Sequence, residues 1–318
     1  MNHPNILEIK DLKIYYKTSK GYVKAIDGIS FGLKKGESVG LVGESGCGKT
    51  SVAMAIMKLL PNNAEIISGQ ILFNGEDIIP KTEKQMQKIR SRCIAMVFQA
   101  AMNALNPVQR VENQIIEAIR THNSISKKDA QERVKELYQL VGMDYNRAKD
   151  YPHEYSGGMK QRAIIAMALA CNPDIIIADE PTTALDVIVQ DQIIREMVKI
   201  QHKLNMTLIY ISHDIAVIAE TCHHIGVMYA GQLMEYADTK TLFNTPLHPY
   251  TQGLLSSYPN IFGEKKKLSS ISPEPINLLN SVSGCRFYNR CTQAKDICKK
   301  EEPAYHKVKD GHWVLCHL

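Results

Sequence analysis

The sequence is short of the features that would export it, embed it in a bilayer or bind it to a polyanion. The first ten residues hold no basic segment followed by an apolar one, so no secretory signal is expected. The longest apolar run, Ala163 to Cys171, reaches about half the length of a membrane-spanning helix. No Lys/Arg run exceeds Lys265-Lys266-Lys267, and a net charge of +5 is modest for 318 residues, which argues against nucleic acid as a partner. No internal repeat is present, and none of the eight cysteines stands in a tight C-x2-4-C pair of the kind zinc modules use. With 44% apolar residues the chain can bury a full core. One large domain with an appendage is expected, in a soluble, cytoplasmic protein.

What is present centres on Gly43-Glu-Ser-Gly-Cys-Gly-Lys-Thr50. This stretch fits G-x-x-x-x-G-K-[ST], whose glycines let successive backbone N–H groups turn inward around a phosphate. Ser38 to Val42, before it, has the length and apolarity of a buried strand. Ser51 to Leu60, after it, has the length of a helix, which Pro61 stops. A helix N-terminus adds partial positive charge to such a cradle. Lys49 is placed to reach the β/γ-phosphates of a nucleoside triphosphate, and the Thr50 hydroxyl to ligate Mg²⁺.

Ahead of the loop, Ile6 to Lys10, Leu12 to Tyr16 and Ala25 to Phe31 alternate like strands. Tyr15 and Tyr16 adjoin a polar loop, and either ring could offer its face to adenine. Further strands are predicted at Gln70 to Phe73, Ile94 to Phe98, Asp174 to Ala178, Thr207 to Ile211, Ile225 to Met228 and Gln232 to Tyr236. Helices are predicted over Val111 to Arg120, over Lys127 to Val141 with Ser126 as N-cap and Gly142 as stop, over Met159 to Ala170, and from Val187. Strands alternating with helices argue an α/β fold with a mostly parallel sheet. Phe262 to Ser283 reads as a linker, so the division expected is 1–260 and 261–318.

An apolar strand ending in Asp179-Glu180 supplies two carboxylates. The first suits Mg²⁺ and the second can polarise a water at the γ-phosphate. Tyr155-Ser-Gly-Gly-Met-Lys-Gln-Arg162 sets a serine and two glycines at a helix start, a second anion site that one triphosphate does not need. With Gln99, Ala184-Leu185-Asp186 and His213, these motifs stand in the order found in ATP-binding cassette (ABC) ATPases, and over roughly residues 6 to 240 the chain resembles them.

The resemblance implies a P-loop NTPase fold of the ABC type: a RecA-like core, an antiparallel β subdomain and a helical subdomain. Tyr16 matches the adenine-stacking aromatic. Gly43, Glu44, Ser45, Gly46, Cys47, Gly48, Lys49, Thr50 and Ser51 match the phosphate loop. Gln99 matches the glutamine that senses Mg²⁺ and the attacking water, Asp179 the Mg²⁺ carboxylate and Glu180 the catalytic base. Asp186 matches the aspartate of the dimer-crossing loop and His213 the switch histidine at the γ-phosphate. Tyr155 and Met159 depart from the family's Leu-Ser-Gly-Gly-Gln, while Ser156, Gly157 and Gly158 keep its phosphate-contacting core. In this family the signature of one subunit completes the phosphate loop of another, so a second ATPase subunit is implied.

Tyr151 to Arg162, Pro246-Leu-His-Pro-Tyr-Thr-Gln252 and Ile271 to Ile276 are similar to segments of the D-type ATPases of dipeptide, oligopeptide and nickel importers. That branch implies two membrane permeases, an extracytoplasmic peptide-binding protein and a place on the cytoplasmic face of the membrane. On its residues alone, His248-Pro249-Tyr250 is a rigid turn. Cys285, Cys291, Cys298 and Cys316, spaced C-x5-C-x6-C-x17-C, suit zinc or an iron–sulfur cluster, with free or disulfide-bonded thiols as the remaining reading. A matching four-cysteine tail in some members of the branch carries a [4Fe-4S] cluster, which makes the cluster the expectation here, with a structural role and no direct part in hydrolysis. His306, His312 and His317 are taken as non-ligands. A soluble ABC protein of translation or repair would carry two cassettes or a long coiled-coil insertion, and neither is present. A redox role for the cluster finds no electron-transfer motif to support it.

Overall fold

The computed structural model describes residues 5–99, 103–183, 185–257, 276, 278–279 and 283–317. Ala184, the Lys265-Lys266-Lys267 run and most of the predicted linker lie outside them. The strands of the first half are β1 (Leu7–Thr18), β2 (Gly21–Leu33), β3 (Ser38–Val42), β4 (Ala64–Phe73), β5 (Glu76–Asp77) and β6 (Ile94–Val97). Those of the second half are β7 (Ile175–Asp179), β8 (Thr207–Ile211), β9 (His224–Tyr229), β10 (Gln232–Asp238), β11 (Tyr305–Lys309) and β12 (His312–Leu315). Helices α1 (Lys49–Ile56), α2 (Glu83–Ile89), α3 (Val111–His122), α4 (Lys127–Leu140) and α5 (Gly157–Ala168) are followed by α6 (Val187–Leu204), α7 (Ile215–Thr221), α8 (Thr239–Asn244), α9 (Pro249–Ser256) and α10 (Asp296–Lys300).

Apolar periodicity explains most of these. β3, β7 and β8 are buried at every position, the pattern of strands covered on both faces. β1 instead alternates, with Leu7, Ile9, Leu12 and Ile14 buried. It is one strand where the sequence suggested two, because a register shift between Ile9 and Leu12 interrupts the alternation, with Asp11 in a left-handed conformation at φ 42°. α1 starts two residues earlier than predicted and ends at Ile56 rather than Leu60. Lys58 turns left-handed at φ 50° and closes the helix before Pro61 acts. α4 has the predicted cap, with Ser126 Oγ accepting from the Asp129 N–H at 3.1 Å, and buries Ala130, Val134, Leu137 and Tyr138.

The chain divides into two compact units. One comprises residues up to Leu33, Ser38–Ile79 and Ile211–Leu318. It holds a four-stranded sheet in the order β2-β1-β4-β5, antiparallel throughout, and the strand series β11-β12-β10-β9-β3. Within that series β3 and β9 are parallel, and β12 adds the end of the chain to β10 through the pairs Glu235–Val314 and Tyr236–Trp313. The other unit comprises Lys34–Glu37 and Pro80–Tyr210. It carries the series β8-β7-β6 and helices α2 to α6, with β6 and β7 parallel. His248-Pro249-Tyr250 is more than a turn: His248 Nδ1 accepts from the Tyr250 N–H at 3.0 Å and Pro249 takes the first helical position of α9.

Candidate functional site

In the first unit, β3 delivers the chain directly into the glycine-rich loop. Gly43 has φ 149°, and a Cβ there would stand 2.0 Å from the Met228 carbonyl oxygen. Gly48 has φ 107°, and a Cβ there would stand 2.4 Å from the Ala25 carbonyl oxygen, so backbone closes both places to any side chain. Ser45, Gly46 and Thr50 are exposed. Lys49 is only 6% exposed, and its ammonium donates to the carbonyls of Gly43 at 2.7 Å and Glu44 at 3.0 Å. Burial raises the Cys47 thiol, with Lys49 opposing, so the sulfur beside the ammonium stays protonated. The loop folds around a retained cation.

The two tyrosines diverge. Tyr16 Oη lies 3.0 Å from Ser51 Oγ at the start of α1, whereas Tyr15 Oη donates to Asp27 Oδ1 at 2.9 Å. Burial, reinforced by Asp27, pushes the Tyr15 phenol up to about 12. His213 also belongs to this unit and is exposed. Asp214 beside it caps α7, accepting from the Ala216 and Val217 N–H groups.

Two residues that hold the loop at Glu44 were missed by sequence reasoning. Arg290 donates from both terminal nitrogens to the Glu44 carboxylate, each at 2.8 Å. Tyr250 Oη accepts from the Glu44 N–H at 3.1 Å, and the Arg290 guanidinium lies 5.3 Å over the Tyr229 ring. The only sequence signal was the segment around Tyr250, which gave no direction to its side chain.

In the second unit, Asp179 ends β7 at 2% exposure. Glu180 follows in the left-handed region at φ 45°, and its Oε2 accepts from Gln99 Nε2 at 3.0 Å and Thr183 Oγ1 at 3.1 Å. Gln99 and Glu180 are therefore brought together, and Thr183 joins them. Ser156 is exposed and caps α5, its Oγ accepting from the Met159 N–H at 3.3 Å, with Gly157 and Gly158 opening the helix. The departure at Tyr155 has a local cause: its buried phenol meets the Tyr138 hydroxyl and donates to the Arg147 carbonyl, each at 2.7 Å. A leucine would leave Tyr138 without that partner. Asp186 caps α6, accepting from the Val189 N–H at 3.0 Å.

The tail thiols are gathered less tightly than expected. Cys285, Cys298 and Cys316 are buried and Cys291 half-buried, and the Cys285 N–H donates to the Cys298 carbonyl at 2.7 Å. Yet among the described residues no three His, Cys, Asp or Glu side chains are grouped as metal ligands. Burial is the main cause that pushes the Cys285 thiol up to about 11, and it raises Cys291 as well. His312 is occupied by Glu235, its Nε2 standing 2.8 Å from Oε1, and His317 Nε2 by the Glu301 carbonyl at 2.9 Å.

A phosphate loop at the end of a buried parallel strand, with an acidic pair ending another and a Ser-Gly-Gly helix start, defines a P-loop ATPase of the ABC type. Solved structures agree. A dimeric bacterial ABC transporter cassette superposes with a TM-score of 0.66 at 26% identity, covering 73% of this chain and 98% of that one. CbiO1 from Clostridium perfringens, part of an ABC transporter complex, gives 0.67 at 27% identity, covering 76% and 92%. The family model for ABC transporters matches residues 26–183, and that for the oligopeptide/dipeptide transporter C-terminal region matches residues 234–298. The oligopeptide transport ATP-binding protein OppD of Bacillus subtilis is 46% identical over 98% of this chain and 88% of its own length. The dipeptide transport ATP-binding proteins DppD of Lactococcus lactis and Escherichia coli are 44% and 41% identical, covering 92% and 96% of their lengths. The chain belongs to this family of oligopeptide/dipeptide transporter ATP-binding proteins. Among the described residues no helix is long and apolar enough to cross a membrane.

Proposed function

We propose that the chain hydrolyses ATP to power the import of dipeptides or oligopeptides through a membrane ABC transporter, at the cytoplasmic face. Two phosphate-directed helix starts in one chain carry this reading: the loop Gly43 to Thr50 before α1 and Ser156-Gly157-Gly158 before α5. One triphosphate does not need both, so a second ATPase subunit pairs with this one, and each signature completes the other's phosphate loop. Two permeases and an extracytoplasmic peptide-binding protein complete the assembly. Residues 1–260 form the nucleotide-binding region and 261–318 the extension.

The geometry suits these roles. The Lys49 ammonium, held by two loop carbonyls, exchanges them for β- and γ-phosphate oxygens. Tyr16 stacks on adenine, with Ser45, Gly46 and Ser51 along the phosphates. Thr50, Gln99 and Asp179 would hold Mg²⁺, which neutralises developing phosphate charge when bound. Glu180 gives up Gln99 and Thr183 to take the proton of the attacking water, with His213 on the γ-phosphate and Asp186 in the dimer-crossing loop. Cys285, Cys291, Cys298 and Cys316 fit a [4Fe-4S] cluster by donor chemistry, since four sulfur donors are the set such clusters take. Zinc is the alternative for the same donors.

The test is reconstitution in vesicles with two permeases, the second ATPase and the peptide-binding protein. ATP-dependent uptake of labelled di- and oligopeptides, lost in Lys49→Ala, is the outcome expected. Uptake of nickel in place of peptides would overturn the substrate class while leaving the ATPase.

A further inference from the structure

We infer that Arg290 of the C-terminal extension is a positioning residue for the phosphate loop, acting through Glu44. The inference rests on the reading of Gly43 to Thr50 as the ATP site. Glu44 follows Gly43, the first residue after β3, and its carbonyl is one of the two that hold the Lys49 ammonium. The conformation of Glu44 therefore sets where that ammonium sits. Its side chain is fixed by two parallel bonds from Arg290, and its N–H by the Tyr250 hydroxyl. Bidentate guanidinium–carboxylate pairing fixes angle as well as distance, which a single charge would not do.

The anchor at the other end is rigid. The Arg290 side chain is 3% exposed and lies against the Tyr229 ring, and its neighbour Phe287 packs edge-on to Tyr229 and beside Tyr250, with centroids at 5.4 and 5.3 Å. Arg286, one turn earlier, pairs with Asp27. Such a buried arginine is costly to hold unless its partner is present. The Glu44 carboxylate answers it, with burial of the pair restrained by the 26% exposure of the glutamate. The extension thereby presses a cation onto the loop's acidic side chain. It keeps that carboxylate turned to the tail, where it adds less repulsion to an incoming triphosphate than a free side chain would.

The experiment is steady-state ATPase activity and fluorescent-nucleotide binding on the assembled complex, comparing wild type, Arg290→Ala, Arg290→Lys, Glu44→Gln and the double variant Arg290→Ala/Glu44→Gln. Arg290→Ala is expected to raise the KM and Kd for ATP by about tenfold, with kcat within about twofold. Arg290→Lys should recover only part of the loss, because an ammonium cannot bond both oxygens in plane. The double variant should be no worse than Arg290→Ala alone, since the residues act as one pair. Glu44→Gln breaks the pair from the loop side while keeping every tail side chain, and protease sensitivity of the tail in each variant separates a misfolded tail from a displaced loop. An unchanged KM in both Arg290→Ala and Glu44→Gln, or additive losses in the double, would overturn the inference. Lys49→Ala separates the premise: if ATP binding survived that change, the loop assignment itself would fail.

Discussion

The phosphate loop and the acidic strand end both leave buried parallel strands, yet they are held by opposite means. Around Gly43 to Thr50 the constraints are backbone carbonyls and a buried arginine, groups that do not turn over easily. At Glu180 they include two neutral donors, Gln99 and Thr183, on a residue whose left-handed backbone costs about 1–3 kcal/mol. A binding cradle gains from being preformed, because ordering is then not charged against affinity. A general base must exchange partners in every cycle, and weak neutral hydrogen bonds permit that. On the proposed roles, stiffness sits where ATP would be gripped, and adjustability where the proton would move.

The strongest way to separate the two is Glu180→Gln. It leaves the loop intact, so ATP binding should persist while turnover falls by at least about 10²-fold. Near-normal hydrolysis by the paired variant would remove Glu180 from the base role. Ser156→Arg probes a second cradle that is expected to serve the partner subunit. Nucleotide affinity of the isolated monomer should hold, and hydrolysis by the pair should fall roughly tenfold or more. Collapse of monomer affinity would instead put the signature at the chain's own nucleotide.

Smaller effects test the loop's support from the tail. Protein purified without oxygen should be brown, with about four irons and four sulfides per chain. Cys298→Ser should bleach it and raise protease sensitivity of the tail, with ATP still bound. A colourless preparation with stoichiometric zinc would favour the other metal. The last effect is on stability alone. Burial lowers His248 to about 4 from its ordinary 6.5, so the unfolded chain takes up the proton first as pH falls. The contribution, on the order of 3 kcal/mol, is complete above about pH 6.5 and lost between there and pH 4. His248→Asn keeps an N-cap on α9 and should flatten that part of a melting-temperature profile. A profile equally steep in the variant would assign the loss to other groups.

What could be read from the sequence follows from how local each signal is. The loop, the acidic pair and the Ser-Gly-Gly helix start are short segments whose chemistry needs fixed spacing, and the structure places each on the strand or helix end anticipated. β3 and β8 match their predicted bounds because an unbroken apolar run has no competing period. The bulge in β1 and the left-handed stop at Lys58 were not legible, since each depends on one residue's backbone rather than on a pattern. Least legible was the hold on Glu44. Arg290 is 246 residues away in the chain, and nothing in the spacing of the tail cysteines points to it.

The pairing of β12 with β10 ties the order of synthesis to the order of folding. The first unit draws on Leu7 to Leu33 and on the final strand, and Arg286 meets Asp27 across 259 residues of chain. While the ribosome is still at work, the β10 edge has no neighbour and stays open to strand pairing with another nascent chain. Completion replaces that edge with β11, where His306, Lys307, Val308 and Lys309 are exposed and the lysines discourage further addition. Chains that stop ahead of Tyr305 should therefore be lost to aggregation before any defect in ATP handling could be measured.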